Sequence, residues 1–314
     1  MARRTDGDDR QRLAAPLERI SHPPLPPTPD QRTIHALSHE PNPPSPRLAV
    51  AIVCKDNDAT IARTLDSVKG LADEIVAVDS GSSDNTIPLL EAAGARIIRS
   101  PWLGHIRTKQ LALDACRARW ILCLDSDESL LPELQSSLRD FLAHDNPAAL
   151  GAVINRKTFY QGRPLNHAWQ PEPRLRLVRR GAARWGGLDP HDKLELINPP
   201  TTTPVHLRGD LRHDSFPTFT EHLRKQWSHA TTMAHSLHAA GHRGRALSLL
   251  ISPPGAFLKQ LILKRAFLDG YPGLLAAASS AAAALIKHAA LIELSRAPAT
   301  ASPDTPPPPT HPAP

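Results

Sequence analysis

The chain reads as an α/β protein built on a mostly parallel, Rossmann-like sheet flanked by helices. Four short apolar runs alternate with four amphipathic stretches between residues 48 and 143, and the links between them are short. Two acidic clusters directly follow two of those runs. In such sheets ligands bind beyond the carboxyl ends of the strands, so the clusters sit where a ligand would be met.

The first run, Leu48-Ala-Val-Ala-Ile-Val-Cys54, is continuously apolar, the pattern of a strand buried on both faces. Lys55-Asp-Asn-Asp58 supplies N-cap residues for a helix whose Ile61, Leu65 and Val68 recur on one face. Glu74–Val78 is the second strand, and Thr86–Ala93 a short helix stopped by Gly94. Ala95–Ile98 is the third strand, and His105–Ala118 has helical spacing through Ile106, Leu111 and Leu113. Trp120–Leu124 is the fourth strand, and Pro132 opens a helix to Ala143. Beyond about 150 the alternation becomes irregular. Ala152–Asn155 and Leu175–Val178 read as strands, and the pattern is helical from Thr218 to Leu294.

Proline marks the borders. Of 33 prolines, ten lie in 1–46 and eight in 297–314, so both ends read as disordered Pro-rich tails. The expected organisation is a domain over 47–215, with an alternating half (47–150) and an irregular half (151–215), then a helical extension over 216–296.

The three cysteines form no CxxC pair, which suits buried thiols in a reducing compartment. The N-terminus shows no apolar signal region, so a cytoplasmic protein is expected. Net charge is +6, but aromatics are only 4% and the arginines are scattered, which argues against nucleic acid. Five histidines between His222 and His242 form no HExxH zinc pattern. No stretch of about 20 residues is apolar and free of charge, so no span is expected. Phe257–Arg265 mixes apolar and basic residues like an interfacial helix, and Gly273–Ile286 is mostly alanine. A packed core helix or attachment to the inner face of a membrane both fit this region.

The acidic clusters are Asp79-Ser-Gly-Ser-Ser-Asp84 and Asp125-Ser-Asp-Glu128. Two carboxylates one residue apart in a turn can present oxygens to one hard divalent cation, Mg²⁺ or Mn²⁺. Such a cation offsets the charge that builds on a diphosphate leaving group. The hydroxyls, carboxylates and Gly81 of the first cluster suit a base or ribose. Neither a Walker motif nor GxGxxG follows the first strand, which excludes a P-loop kinase and a dinucleotide enzyme.

Ala51–Asp58, Ala72–Thr86 and Trp120–Glu128 together resemble the family 2 glycosyltransferases of GT-A fold. The nearest branch is that of lipopolysaccharide core enzymes, similar to bacterial β-1,4-glucosyltransferases. The resemblance runs over about 48–294, through Trp102–Gln110, Arg174–Arg180 and Phe267-Leu-Asp-Gly270. It implies inverting transfer from a nucleotide-diphosphate sugar, a UDP-hexose in the first instance, to a hydroxyl of a cell-envelope glycan or lipid-linked acceptor, with 47–150 as the nucleotide-sugar half and 151–215 as the acceptor half. It implies nucleotide-sugar contacts at Lys55, Asp58, Asp79, Ser80, Gly81, Asp84, Lys109 and Asp125, and a metal on Asp125 and Asp127. Gln110 stands where the family has Asn.

An inverting enzyme also needs a general base within hydrogen-bond reach of the acceptor hydroxyl. The branch carries His-Glu where this chain has His191-Asp192, which nominates Asp192, with Asp189, Glu172 and Glu195 as rivals. Arg174, Arg176 and His191 are candidates for phosphate or acceptor, with Arg179 as a further arginine of the same run. Two other readings are a nucleotidyltransferase on a similar sheet and a nucleotide-sugar-binding scaffold without catalysis.

Overall fold

The computed structural model describes residues 46–188, 191–198, 204–214 and 218–296. Both expected tails lie outside them. The first half is the alternating unit: β1 (Leu48–Cys54), α1 (Asp58–Val68), β2 (Glu74–Asp79), α2 (Thr86–Ala92), β3 (Arg96–Arg99), α3 (His105–Ala115) and β4 (Trp120–Asp125). These four strands pair only in parallel, β2 and β4 flanking β1 and β3 lying outside β2. The chain runs outward from β1 to β3 and then returns to β4 on the other side of β1. That reversal opens a crevice at the carboxyl ends of β1 and β4.

The apolar run of β1 is explained by its two faces. Leu48, Val50, Ile52 and Cys54 pack with Ile61, Leu65 and Val68 of α1, Leu90 of α2, and Leu134 and Leu138 of α4 (Pro132–His144). Ala49 and Ala51 face the other way, toward Ala112, Leu113 and Cys116 of the α3 segment. A period-2 strand buried on both sides has no position for a polar residue.

The second half adds antiparallel pairings. They involve β5 (Glu128–Leu130), β6 (Gly151–Tyr160), β7 (Arg163–Pro164), β8 (Pro173–Arg179) and β11 (Val205–His213). The sheet order is β3-β2-β1-β4-β8-β6-β11-β5, with β7 against β6. β8 is antiparallel to both β4 and β6, and β11 is parallel to β6 but antiparallel to β5. The expected parallel character thus belongs to the first four strands, and the acceptor half makes the sheet mixed. β9 (Ala183–Leu188) and β10 (His191–Leu196) form a separate hairpin. Trp185 and Leu194 fasten it to the α3 side of the sheet.

The helical extension comprises α5 (Phe219–Ala239), α6 (Ala246–Leu258), a π turn (Lys259–Leu263), a 3₁₀ turn (Ala266–Asp269) and α7 (Tyr271–Arg296). Thr218 caps α5 by accepting from the Glu221 amide at 3.2 Å. The Asp269 carboxylate accepts the amides of Asn166, His167 and Ala168 at 3.0, 2.9 and 2.7 Å, which ties the extension to the acceptor half. Residues 246–263 and 271–296 are, by length and composition, apolar enough to cross a membrane, with mean hydropathies of 1.4 and 1.5. Lys259 and Lys287 interrupt them, so neither is a charge-free run of about 20 residues, and the expectation of no span holds only for such runs.

β11 bulges between His206 and Asp210, where Gly209 has φ +86°. A Cβ there would stand 2.4 Å from the Leu134 amide nitrogen, inside the backbone of α4. Gly209→Ala therefore combines a left-handed conformation with a backbone clash. It is expected to lower stability by about 2 kcal/mol or more in urea denaturation; a loss within ~0.5 kcal/mol would contradict this packing.

Candidate functional site

Three loops meet at the crevice. The β1–α1 loop and the β2–α2 loop are joined by five hydrogen bonds, one of them from Ser83 Oγ to Asp56 Oδ1 at 3.1 Å. The Asp56 amide donates to Ser82 Oγ at 2.9 Å, and the Ser83 amide to Asp56 Oδ1 at 2.7 Å. The Asn57 amide donates to Thr86 Oγ1 at 2.7 Å, and the Asp58 amide to Asp84 Oδ2 at 2.9 Å. Asp84 also accepts the Thr86 amide at 3.0 Å, so one carboxylate serves the first residues of both α1 and α2. Desolvation alone would raise its pKa, but the Thr86 and Asp58 donors outweigh it and lower the value. Lys55 and the Asp58 side chain are exposed at the mouth, and an open cleft lined by Asp58, Asn85 and Leu89 lies between the helix starts.

Asp79 differs from its expected role. It is 2% exposed, and its carboxylate accepts the amides of Gly81 (3.0 Å) and Ser82 (3.2 Å) as well as Ser82 Oγ. It shapes the turn in which Gly81 takes φ +94°. The neighbouring Ser80 hydroxyl is buried and has no hydrogen-bond partner among the described residues.

The third loop follows β4. Asp125 is taken up by two cations, Lys109 Nζ at 2.7 Å and Arg176 at 3.1 Å. Lys109 also reaches Asp192 Oδ2 at 2.9 Å and lies 4.8 Å from the Trp185 ring centroid. Arg176 continues to Glu128 at 2.6 Å, Glu128 to Arg156 at 3.4 Å, and Arg156 to Glu172 at 2.6 Å, which also holds Arg174. The network crosses from β4 through β8 to β6, and its four cations match its four carboxylates. Burial disfavours a charged Lys109, but Asp125, against the opposing charge of Arg176, and then Asp192 raise its pKa. Burial likewise works against an ionised Asp125, and Lys109 and Arg176 hold it well below the usual carboxylate range.

Asp127 stands apart. Among the described residues it has no Lys or Arg partner, and its neighbour is the imidazole of His213, with Nε2 3.6 Å from Asp127 Oδ1. The register of β11 on β5 sets His213 opposite Glu128, and the Asp214 amide donates to the Asp127 carbonyl at 2.9 Å. His213 Nδ1, Arg176 Nε and Trp185 Nε1 are, with Ser80 Oγ, buried polar atoms that lack a hydrogen-bond partner among the described residues. An unsatisfied buried polar atom costs about 1–3 kcal/mol, so each of these atoms is a candidate contact for a ligand.

A divalent cation fits here in a form other than the expected one. Asp125 is already neutralised by two cations, whereas Asp127 and His213 present a carboxylate and an imidazole to the same space. No group of three or more His, Cys, Asp or Glu poised for a metal occurs among the described residues, so a cation here would rely on substrate oxygens as well.

The other expected residues divide clearly. Asp192 joins the crevice. Glu172 is held by two arginines, Glu195 is exposed on β10, and Asp189 lies outside the described residues, as does the side chain of His191. Arg176 is 4% exposed and engaged with Asp125 and Glu128, and Arg174 pairs with Glu172, so neither guanidinium is set out for an acceptor. Arg179 pairs with Asp145 and lies 4.7 Å from the Trp120 ring centroid. Gln110 accepts the Trp185 amide at 2.8 Å, which fixes the hairpin to α3. His213 went unrecognised in the sequence, and Glu128 was visible only as the end of the acidic cluster, without a role of its own. Strand pairing across 86 residues brings His213 to Asp127, and no local pattern announces it.

Replacing Lys109 by Met leaves two carboxylates without their shared cation, which is expected to cost about 3 kcal/mol at neutral pH. Asp125 has a depressed pKa, so its contribution is present above the ordinary carboxylate range and is lost as pH falls through the depressed value. The gap between wild type and Lys109→Met in urea denaturation should narrow on acidification; a gap independent of pH would contradict the bridge.

Residues 49–193 match the family described as glycosyl transferase family 2. The chain is 28% identical to an uncharacterized glycosyltransferase of Rickettsia typhi, the match covering 79% of this chain and 88% of that one. It is 29% identical to the lipopolysaccharide core biosynthesis glycosyltransferase LpsC of Rhizobium meliloti, covering 78% and 92%. Among solved structures, glucosyl-3-phosphoglycerate synthase from Mycobacterium tuberculosis matches at 25% identity over 37% of this chain and 45% of that one, with a TM-score of 0.30. Residues 49–193 thus form a family 2 glycosyl transferase domain, and over most of its length the chain is similar to proteins named as glycosyltransferases.

Proposed function

We propose that this enzyme transfers a hexose, with inversion, from a nucleotide-diphosphate sugar to a hydroxyl of a cell-envelope glycan or lipid-linked acceptor. The observation that carries the reading is the meeting of Asp192 with the β4 turn. One ammonium, Lys109, holds an acid of the β9–β10 hairpin beside Asp125. The nucleoside end of the donor lies against the 55–58 and 79–86 loops, where the Ser80 hydroxyl awaits a partner. The likeness to a lipopolysaccharide core enzyme supports the acceptor class, and a UDP-hexose is the donor to test first. Three buried free cysteines support a cytoplasmic, reducing location.

In this reading Asp127 and His213 hold Mg²⁺ or Mn²⁺ together with the donor's phosphates. The cation would neutralise charge on the departing diphosphate. Asp192 uses Oδ2 to accept from Lys109, while its Oδ1 accepts nothing among the described residues. Oδ1 takes the acceptor proton as the acceptor oxygen attacks the anomeric carbon. The bond from that carbon to the diphosphate breaks on the opposite face, and nucleoside diphosphate leaves. Lys109 keeps Asp192 aimed.

Asp192→Asn keeps the shape and removes the base. It is expected to lower kcat by about 10²–10⁴ while UDP binding, measured by calorimetry, stays within about twofold of wild type. Transfer at the wild-type rate would remove Asp192 from this role.

A further inference from the structure

We propose that the ledge formed by α6, the π turn, the 3₁₀ turn and the first turn of α7 docks on an anionic lipid surface, lying in the interface rather than crossing the bilayer. None of the residues from Ala246 to Leu263 is buried. Leu250, Ile251, Leu258, Leu263, Phe267 and Leu268 are each at least half exposed, reaching 74% at Leu250 and 78% at Leu263. A contiguous apolar surface of this kind on a folded protein marks an interaction site.

Charge selects the partner. No Asp or Glu occurs between Glu221 and Asp269, while Arg243, Arg245, Lys259, Lys264 and Arg265 fall in that interval. Asp269, the acid that ends it, is turned inward onto three amides of the acceptor half. Apolar side chains set among unopposed basic ones fit the boundary of an anionic bilayer. A second copy of the chain fits poorly, because a two-fold contact would press like-charged patches together.

The packing keeps the ledge at the surface. Buried Ala276, Ala277 and Ser279 commit one side of α7 to the protein, and a Cβ at Gly244 would stand 2.4 Å from the Ile292 amide, so the start of α6 is packed on the end of α7. Lys264 Nζ donates to the Gln170 carbonyl at 2.8 Å, and the Trp169 amide to Gln260 at 3.2 Å. Gln170 in turn donates to the Arg156 carbonyl at 2.9 Å, within the charged network. The ledge is therefore braced on the acceptor half, and a docked enzyme would hold its crevice in a set attitude to the membrane.

The test is sedimentation of the full chain with vesicles, without donor or acceptor, so its outcome is separate from that of the transferase reading. Vesicles of phosphatidylcholine are compared with an equal mixture of phosphatidylcholine and phosphatidylglycerol. Binding to the mixture is expected to be about tenfold stronger or more, and to fall with added salt. The exposed double variant Leu250→Asp/Leu263→Asp should lower it about tenfold or more with an unchanged melting temperature. Lys259→Gln should lower it about fivefold. Equal binding to both vesicles, or full binding by the double variant, would overturn the proposal. So would protein that resists alkaline carbonate extraction, which would mean a spanning segment. A dimer in sedimentation velocity that the double variant abolishes, without vesicle binding, would assign the ledge to self-association instead.

Discussion

A single ammonium group organises the crevice. Lys109 reaches out from α3 under the ring of Trp185 and holds Asp125 from the β4 turn and Asp192 from the β9–β10 hairpin. Those two acids belong to halves of the domain that the sheet alone does not bring together, since the hairpin is not a member of the main sheet. Apolar contacts of Trp185 and Leu194 give the hairpin its seat, and the lysine gives it its register relative to the donor turn. Burying three charges this way is tolerable because each has an opposite charge at hydrogen-bond distance and Arg176 extends the balance to Glu128.

That balance separates the roles of two aspartates one residue apart. Asp125 is neutralised from within and acts as a fixed part of the wall, with its own amide held by Glu128 at 3.0 Å. Asp127 stands outside the balanced network, facing an imidazole whose other nitrogen has no partner among the described residues. Perturbed and unsatisfied groups gather at sites whose final partner is a substrate or an ion. The 55–58 and 79–86 loops show the complementary design. Asp56, Asp79 and Asp84 use their carboxylates on backbone amides, so the rim is rigid before anything binds.

Much of the first half was legible because its physics is local. A strand buried on both faces must be apolar throughout, and Leu48–Cys54 and Trp120–Leu124 satisfy this in the sequence itself. The acceptor half resists the same reading. β5 is a three-residue strand hidden in an acidic turn, and the alternating arginines of β8 resemble a solvated face although Arg176 is buried among carboxylates. Distance along the chain hides the rest: Lys109 meets Asp192 across 83 residues, and His213 meets Asp127 only through the pairing of β11 with β5. Asp79 shows the opposite limit. Its position at a strand end was plain, but whether its oxygens face a ligand or their own turn depends on loop geometry that residue types do not encode.

In the proposed reaction Asp127 and His213 would hold the cation beside the donor's diphosphate. The direct measurement is thermal unfolding with UDP, with Mn²⁺, and with both, on wild type, Asp127→Asn and His213→Ala. A nucleotide at about 100 times its dissociation constant stabilises by about 2.7 kcal/mol. The account predicts that wild type shows such a gain only when UDP and Mn²⁺ are present together, that Asp127→Asn loses it, and that His213→Ala weakens it. An equal gain in all three proteins, or a UDP gain indifferent to metal, would contradict it.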